Sequence, residues 1–460
     1  MAVAEIATVE KAVAGEDIIA RLERLPTSSW HVRMRAIVAS ATFFDAFDSI
    51  SIAFVAPALI GLWHLRPTDI GLLISAGYVG SALGSFAFGW AAERYGRIRT
   101  LTWTVVLFSV MSLACAAAWD FSSLAALRFL TGLGVGGELY VALTYINEFA
   151  KTERRGWFVL IFQAIYAVGI LVVSLTSVWI VPHFGWQWMF IIGAIPALFA
   201  FMYRRLLPES PRWLASRGRL READQVLTRI EKEIAPDGNL PAIDTSKLPP
   251  IIEKTASWKD IFAGVYLART IVLWIIMFVA QFVGWGVTLW LPSIYKSIFK
   301  LPDQQALLLS LISNSAIIVA TLVCAAVIDH VGRRAWMSIC FAMTSLLLFA
   351  VFALGSNLTV TWMLVLATLA SFFFPQIQLA LGLYPTELYP TRIRALGSGL
   401  AATWARVGSV TGPIFIGFVL QEAGLGADFL MLAGLAVLGC IVLAVFGVET
   451  RQRLLEEVSP

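Results

Sequence analysis

The sequence predicts an all-α polytopic membrane protein with twelve transmembrane helices in two pseudo-symmetric six-helix halves. Composition, the spacing of apolar runs and the placement of charge carry that expectation. Of 460 residues, 59% are hydrophobic and 14% charged, where soluble domains run near ~45–50% and ~25%. That balance excludes a water-soluble enzyme. Twelve apolar stretches are each long enough to cross a ~30 Å hydrocarbon core at ~1.5 Å per residue. They fall near 36–60, 71–92, 100–118, 123–148, 157–181, 187–206, 268–292, 306–328, 335–354, 360–384, 396–420 and 429–447.

Of 34 lysines and arginines, only Arg66, Lys296 and Lys300 fall in loops that a both-ends-inside topology places outside, while Arg128 and Arg406 lie within spans. The other 29 sit in the two tails and in the loops of the opposite side. Such an excess marks the cytoplasmic side, so both termini are expected there. The same rule accounts for the basic runs, and no nucleic-acid partner is expected.

In chain order, residues 1–35 read as a cytoplasmic tail; acidic residues interrupt it and it lacks an apolar core, so no cleavable signal peptide is expected. Residues 36–206 form the first six-helix half and 207–267 a cytoplasmic linker. The linker opens Pro208-Glu209-Ser210-Pro211-Arg212 and continues in an amphipathic helical pattern. Residues 268–447 form the second half and 448–460 a cytoplasmic tail. Cys115, Cys324, Cys340 and Cys440 all lie in spans without a CxxC spacing, and read as packing residues. His31, His64, His183 and His330 lie at or beyond span ends with no ligand spacing, and no metal is expected.

The halves repeat. Glu93, Gly96 and Arg97 after the second span match Asp329, Gly332 and Arg333 after the eighth at an offset of 236. Glu148 and Arg155 after the fourth match Glu387 and Arg394 after the tenth at an offset of 239. Two matches at equivalent topological positions indicate an internal duplication.

On these residues the sequence is identified as resembling the major facilitator superfamily over all twelve spans. The segment Gly89-Trp-Ala-Ala-Glu93-Arg94-Tyr-Gly96-Arg97-Ile-Arg99 is similar to the family's loop between helices 2 and 3, with Glu93 where Asp is usual. The run from Arg128 through Gly132, Gly134 and Gly136 resembles its helix 4 motif. The Glu148 to Arg155 element and Pro-Glu-Ser-Pro-Arg resemble sugar porters and their organic-ion relatives. The resemblance implies the major facilitator fold and alternating access. Glu93, Arg97, Glu148, Arg155, Asp329, Arg333, Glu387 and Arg394 are then expected to form a cytoplasmic gate of ion pairs. The alternative is that they only cap helices and satisfy topology.

Five ionisable residues lie deep in spans: Asp45, Asp48, Arg128, Glu138 and Arg406. Each costs about 2.5–3.5 kcal/mol at a helix centre, so together they must face the bundle interior, pair with each other or titrate to neutral. Asp45 and Asp48 are three apart and share a helix face. Two carboxylates so placed repel, and at least one gains proton affinity. Asp45-Ala-Phe-Asp48 resembles the Asp-Gly-Tyr-Asp element of aromatic-acid:proton symporters. Asp48 also stands where proton-coupled sugar porters keep an acid paired to the helix 4 arginine, here Arg128. Asp45, Asp48, Arg128 and Glu138 are the expected proton-coupling residues; a static Asp48–Arg128 pair, and a plain partner role for Glu138, are the alternatives.

Arg406 has no carboxylate on its own helix, which suits a substrate anion bound by the guanidinium fork; pairing with backbone carbonyls near Pro413 is the alternative. Gln281, Trp285 and Trp290, Gln376 and Gln378, and Gln163 and Tyr166 complete the expected substrate site, a polar-aromatic wall suited to a small ring; helix packing or an interface anchor is the alternative for each. No Walker motif, hydrolase triad, zinc spacing or dinucleotide fingerprint occurs. The expectation is not an enzyme but a monomeric secondary transporter without a cofactor, driven by the proton gradient in a bacterial inner membrane. It would carry a small aromatic or heteroaromatic carboxylate with protons; a sugar or polyol transporter, or an organic cation or drug exporter, is the alternative.

Overall fold

A computed structural model describes residues 17–150, 155–242, 258–389 and 391–450, with the side chains of 155–164, 258, 259, 329, 386, 391, 392, 394 and 395 outside that description. The site calls on the side chains of Arg155, Gln163, Asp329 and Arg394 therefore lie outside the described residues.

Twelve helices are long and apolar enough to span a bilayer. They are α1 Ser29–Trp63, α2 Pro67–Tyr95, α3 Arg97–Cys115, α4 Phe121–Phe149, α5 Arg155–Phe184, α6 Gln187–Leu206, α7 Val265–Ser297, α8 Asp303–Val331, α9 Arg333–Leu354, α10 Val360–Leu388, α11 Thr391–Glu422 and α12 Gly424–Phe446. The first helix begins at Ser29, inside the segment read as a tail, because Trp30 and Met34 are buried and Trp30 packs on Phe149 at 5.4 Å. Large apolar side chains such as Phe86 and Leu322 point outward, 67% and 69% exposed. Exposed Trp90 and Trp103 ring one end, and Trp119, Trp179 and Trp188 the other, as interfacial aromatics do.

Packing follows the duplication: α2 on α4 as α8 on α10, α3 on α4 as α9 on α10. Within the first half, α2 and α4 touch backbone to backbone. A Cβ added at Gly132 would come 2.0 Å from the Gly77 carbonyl oxygen, and one at Gly136 1.9 Å from that of Ser81. Only glycine permits that approach.

The halves meet through α2 against α11 and α5 against α8, with α1 beside α7. Among the described residues their hydrogen bonds lie at mid-depth or on the side away from the linker. Thr68 donates to Gln421 (2.9 Å), Ser75 to the Val410 carbonyl (2.7 Å), and Asn314 to Ser174 (3.2 Å). Close packing of Gly71 on Pro413 and of Gly417 on Pro67 seals the same far side.

On the linker side, the helix Leu220–Ile234 buries Ala223, Leu227 and Ile230. Its Glu231 takes Arg21 and Arg24 of the N-terminal segment, both at 2.7 Å.

Candidate functional site

The linker-side ends of the halves are built alike. In the first, Arg97 reaches Glu93 and Glu148, each at 2.8 Å. Glu209 accepts the backbone N–H of Arg97 at 2.9 Å, just past Gly96, and Tyr145 donates to the Pro208 carbonyl at 2.7 Å. Gly96 has φ +106°, a conformation that favours glycine, and a Cβ there would meet Glu209 at 2.3 Å. In the second half, Arg333 pairs with Glu387 at 3.3 Å. Glu449 accepts the Arg333 N–H at 2.9 Å beside Gly332, φ +103°, and Tyr384 donates to the Val448 carbonyl at 2.8 Å. Every described ion pair here lies within one half, none across the two.

Glu209 and Glu449 were not among the expected gate residues. Each supplies a carboxylate to the exposed N–H groups of a helix start, where negative charge is favoured. Burial pushes the Glu209 carboxyl up, against the pull of its backbone N–H donors. The signal was available: Pro208-Glu209-Ser210 and Val448-Glu449-Thr450 stand 240 apart, close to the offset of the other repeats.

Between the halves lies a cavity of about 520 Å³. Asp45, Arg128, Tyr166, Gln281, Trp285 and Arg406 line it, while Asp48 stands behind Arg128. The Arg128 guanidinium donates to Asp48 at 2.8 Å and lies over the Phe190 ring at 5.7 Å. Ser112 donates to the other Asp48 oxygen at 2.5 Å, so the fully buried Asp48 carboxylate is held on both sides. Asp45 takes a hydrogen bond from Ser49 at 3.0 Å and faces the cavity. Glu138 does not partner Arg128: one oxygen accepts from Thr42 at 3.0 Å, and the other is buried with Asp45 as its charged neighbour.

Arg406 donates to Ser81 across the halves at 2.6 Å and sits over the Tyr140 ring at 5.4 Å. Among the described residues no carboxylate lies within ion-pair distance of it, and its side chain is open to the cavity. The cavity wall is aromatic where the halves face each other: Tyr78 and Trp285 stand 5.8 Å apart, and the buried Tyr78 hydroxyl has no hydrogen-bond partner. Gln281 takes hydrogen bonds from Gln378 at 3.2 Å and Ser409 at 3.5 Å, which fixes its amide on the cavity floor.

Gln376 is corrected. It is fully buried on the opposite face of α10, where its amide oxygen accepts from Trp336 at 3.2 Å. Gln378, two residues on, lines the cavity, while Trp290 is corrected too: it is buried outside the cavity. Tyr78, Ser81 and Tyr140 also belong to the site, and no charge marked them in the sequence.

The sugar (and other) transporter family matches residues 41–460. A niacin transporter of Acinetobacter baylyi is 31% identical over 96% of this chain and all of its own length. A putative metabolite transport protein of Bacillus subtilis is 31% identical over 94% of this chain and 96% of its own. The xylose transporter XylE of E. coli, in a partially occluded inward-open conformation, superposes with a TM-score of 0.75 at 18% identity, covering 93% of this chain and 100% of that one.

Proposed function

We propose, from the premise that the chain belongs to the sugar (and other) transporter family of major facilitator carriers, that it couples protons to the uptake of a small aromatic carboxylate. It is an integral membrane transporter, not an enzyme. The observation that carries the substrate class is Arg406: a guanidinium open to an aromatic-walled cavity, with Asp45 as a charged neighbour but no ion-paired carboxylate among the described residues. An arginine in that position binds a planar carboxylate through two parallel hydrogen bonds. The cavity volume falls within the roughly 300–1,000 Å³ of small-molecule sites. The niacin carried by the 31% identical relative is a heteroaromatic carboxylate and fits the same description.

Asp45, facing the cavity, is the entry point for a proton, with Glu138 beside it. Neutralising Asp48 next frees Arg128 from the α1–α4 pair and loosens the first half. The gradient is the energy source, and the protein works as a monomer in a bacterial inner membrane with the linker and both termini cytoplasmic. The described state, sealed on the far side, then faces inward. One proton with one monovalent anion moves no net charge; a second adds about 2.3 kcal/mol per 100 mV.

Proton movement into proteoliposomes at zero voltage tests this, with benzoate, nicotinate and hexoses added separately and protein-free liposomes as the blank. Protein-dependent uptake with an acid alone is expected. A response to hexoses alone overturns the substrate class, and acid transport without proton movement overturns the coupling.

A further inference from the structure

One buried acid is used by none of this. Asp428 lies in the first turns of α12, 1% exposed. Among the described residues neither of its carboxylate oxygens has a hydrogen-bond partner, and no ion pair reaches it. It sits on the buried face of α12, in line with Leu432, Ala436 and Gly439, and α12 packs against α7, α9 and α11.

Its level in the membrane follows from a fixed point. A Cβ at Gly286 of α7 would lie 3.6 Å from Leu432 of α12. The helices run antiparallel, so one turn outward pairs Trp290 with Asp428. Trp290 Nε1 and Ser293 Oγ of α7 are likewise buried without partners.

No charge compensates the carboxyl. Lys296, near the outer end of α7, is held by Asp303 at 2.6 Å. The Tyr295 hydroxyl is neutral and buried, Cys340 of α9 lies about three turns toward the linker, and Glu422 at the end of α11 is exposed. An isolated ionised carboxylate in such a place is costly enough that the group takes a proton instead. The contrast with Asp48 is complete, since that carboxylate has Arg128 and Ser112.

We propose that Asp428 is a proton-binding site of the C-terminal half that takes up a proton as the far side closes and returns it to that same side when it opens to water. Opening parts α2 from α11 and hydrates the outer ends of α7 and α12, which stabilises the ionised form. Closure of the far side is then favoured by low pH on that side, and this proton is not one carried across with the substrate. Neither this linkage nor its test needs the coupled reading above.

Infrared spectra of the purified full chain and of Asp428→Asn should differ by the C=O stretch of a protonated carboxyl at neutral pH. Gly417→Trp wedges the far side open, because a Cβ there already meets the Pro67 carbonyl oxygen at 2.5 Å; Gly71→Trp does so against Pro413 at 2.3 Å. In whichever wedge folds and exchanges amide hydrogens faster at the outer ends of α2 and α11, the Asp428 band should titrate about one pH unit or more lower. Identical spectra for wild type and Asp428→Asn would mean an ionised helix-end charge, and an unmoved midpoint in the wedge would mean a fixed structural proton. Either overturns the proposal. A carrier that moved acids without protons would fail the coupling test and leave this band in place.

Discussion

At the linker-side end of the first half, Glu209 caps α3 beside Gly96 and Tyr145 holds Pro208; at the same end of the second, Glu449 caps α9 beside Gly332 and Tyr384 holds Val448. Deeper in the membrane the likeness stops. The first half holds Asp45, Asp48, Arg128 and Glu138, largely occupied with one another and with Thr42, Ser49 and Ser112. The second brings Arg406 to the cavity with a hydroxyl and a ring for company. The ends do one job twice, holding a turn at a helix start. The interiors have diverged, one toward a charge cluster that satisfies itself and one toward a guanidinium without an ion-paired carboxylate among the described residues.

The sharpest way to break that contrast is Asp48→Asn. Removing one member of a buried pair costs about 3–5 kcal/mol, because the other charge is left uncompensated. We expect a large fall in thermal stability in detergent, and loss of pH-driven accumulation in proteoliposomes with counterflow exchange retained. Loss of both transport modes together would make the pair a static brace, and the first half would be no switch.

Arg406→Lys tests the other interior. It keeps the charge and loses the planar fork, so carboxylate affinity should fall at least about tenfold, or ~1.4 kcal/mol. Stability should move little, since Arg406 pairs with no carboxylate among the described residues. Equilibrium binding of a nicotinate-like acid reads the first, and a melting curve the second. An unchanged affinity removes Arg406 from the site.

The likeness of the ends predicts equality. Glu209→Gln and Glu449→Gln should each cost on the order of 1 kcal/mol by weakening charge-assisted bonds to helix-start N–H groups. The two should lower the melting temperature by similar amounts and add in the double variant. A much larger loss at one would show that the ends, too, have diverged.

How much of this was legible follows from the physics. Charges inside apolar runs are conspicuous because their cost demands an explanation, so Asp45, Asp48, Arg128, Glu138 and Arg406 stood out at once. The duplication was legible because Gly96 and Gly332 need a backbone conformation other residues avoid. Helical phase was not. Gln376 and Gln378 differ by about 200° around one helix, and packing of α10 on Trp336 of α9 decides which of them meets the cavity. Tyr78 and Tyr140 carry no charge to betray them. Glu209 and Glu449 escaped because they lie past the spans, where hydropathy offers no register.

Among the described residues one asymmetry at the ends belongs to the first half: the clasp of Arg21 and Arg24 on Glu231 of the linker helix. Burial opposes ionisation of Glu231, but the two guanidiniums outweigh it and hold the carboxyl below the ordinary range. The folded group therefore releases its proton more readily than the free one. Its contribution is complete above the ordinary glutamate value of ~4.3 and is lost as pH falls through that value toward the depressed one. Amide protection along 220–234, corrected for intrinsic exchange, should be flat from neutral pH to about 5 and drop below that. In the Arg21→Gln, Arg24→Gln double variant the drop should vanish, because no charge remains to depress the carboxyl. If protection fell equally in both proteins, the linker helix would be held by its other contacts, among them Ala223, Leu227, Ile230 and the Arg33–Glu233 pair, and the clasp would contribute nothing to its pH dependence.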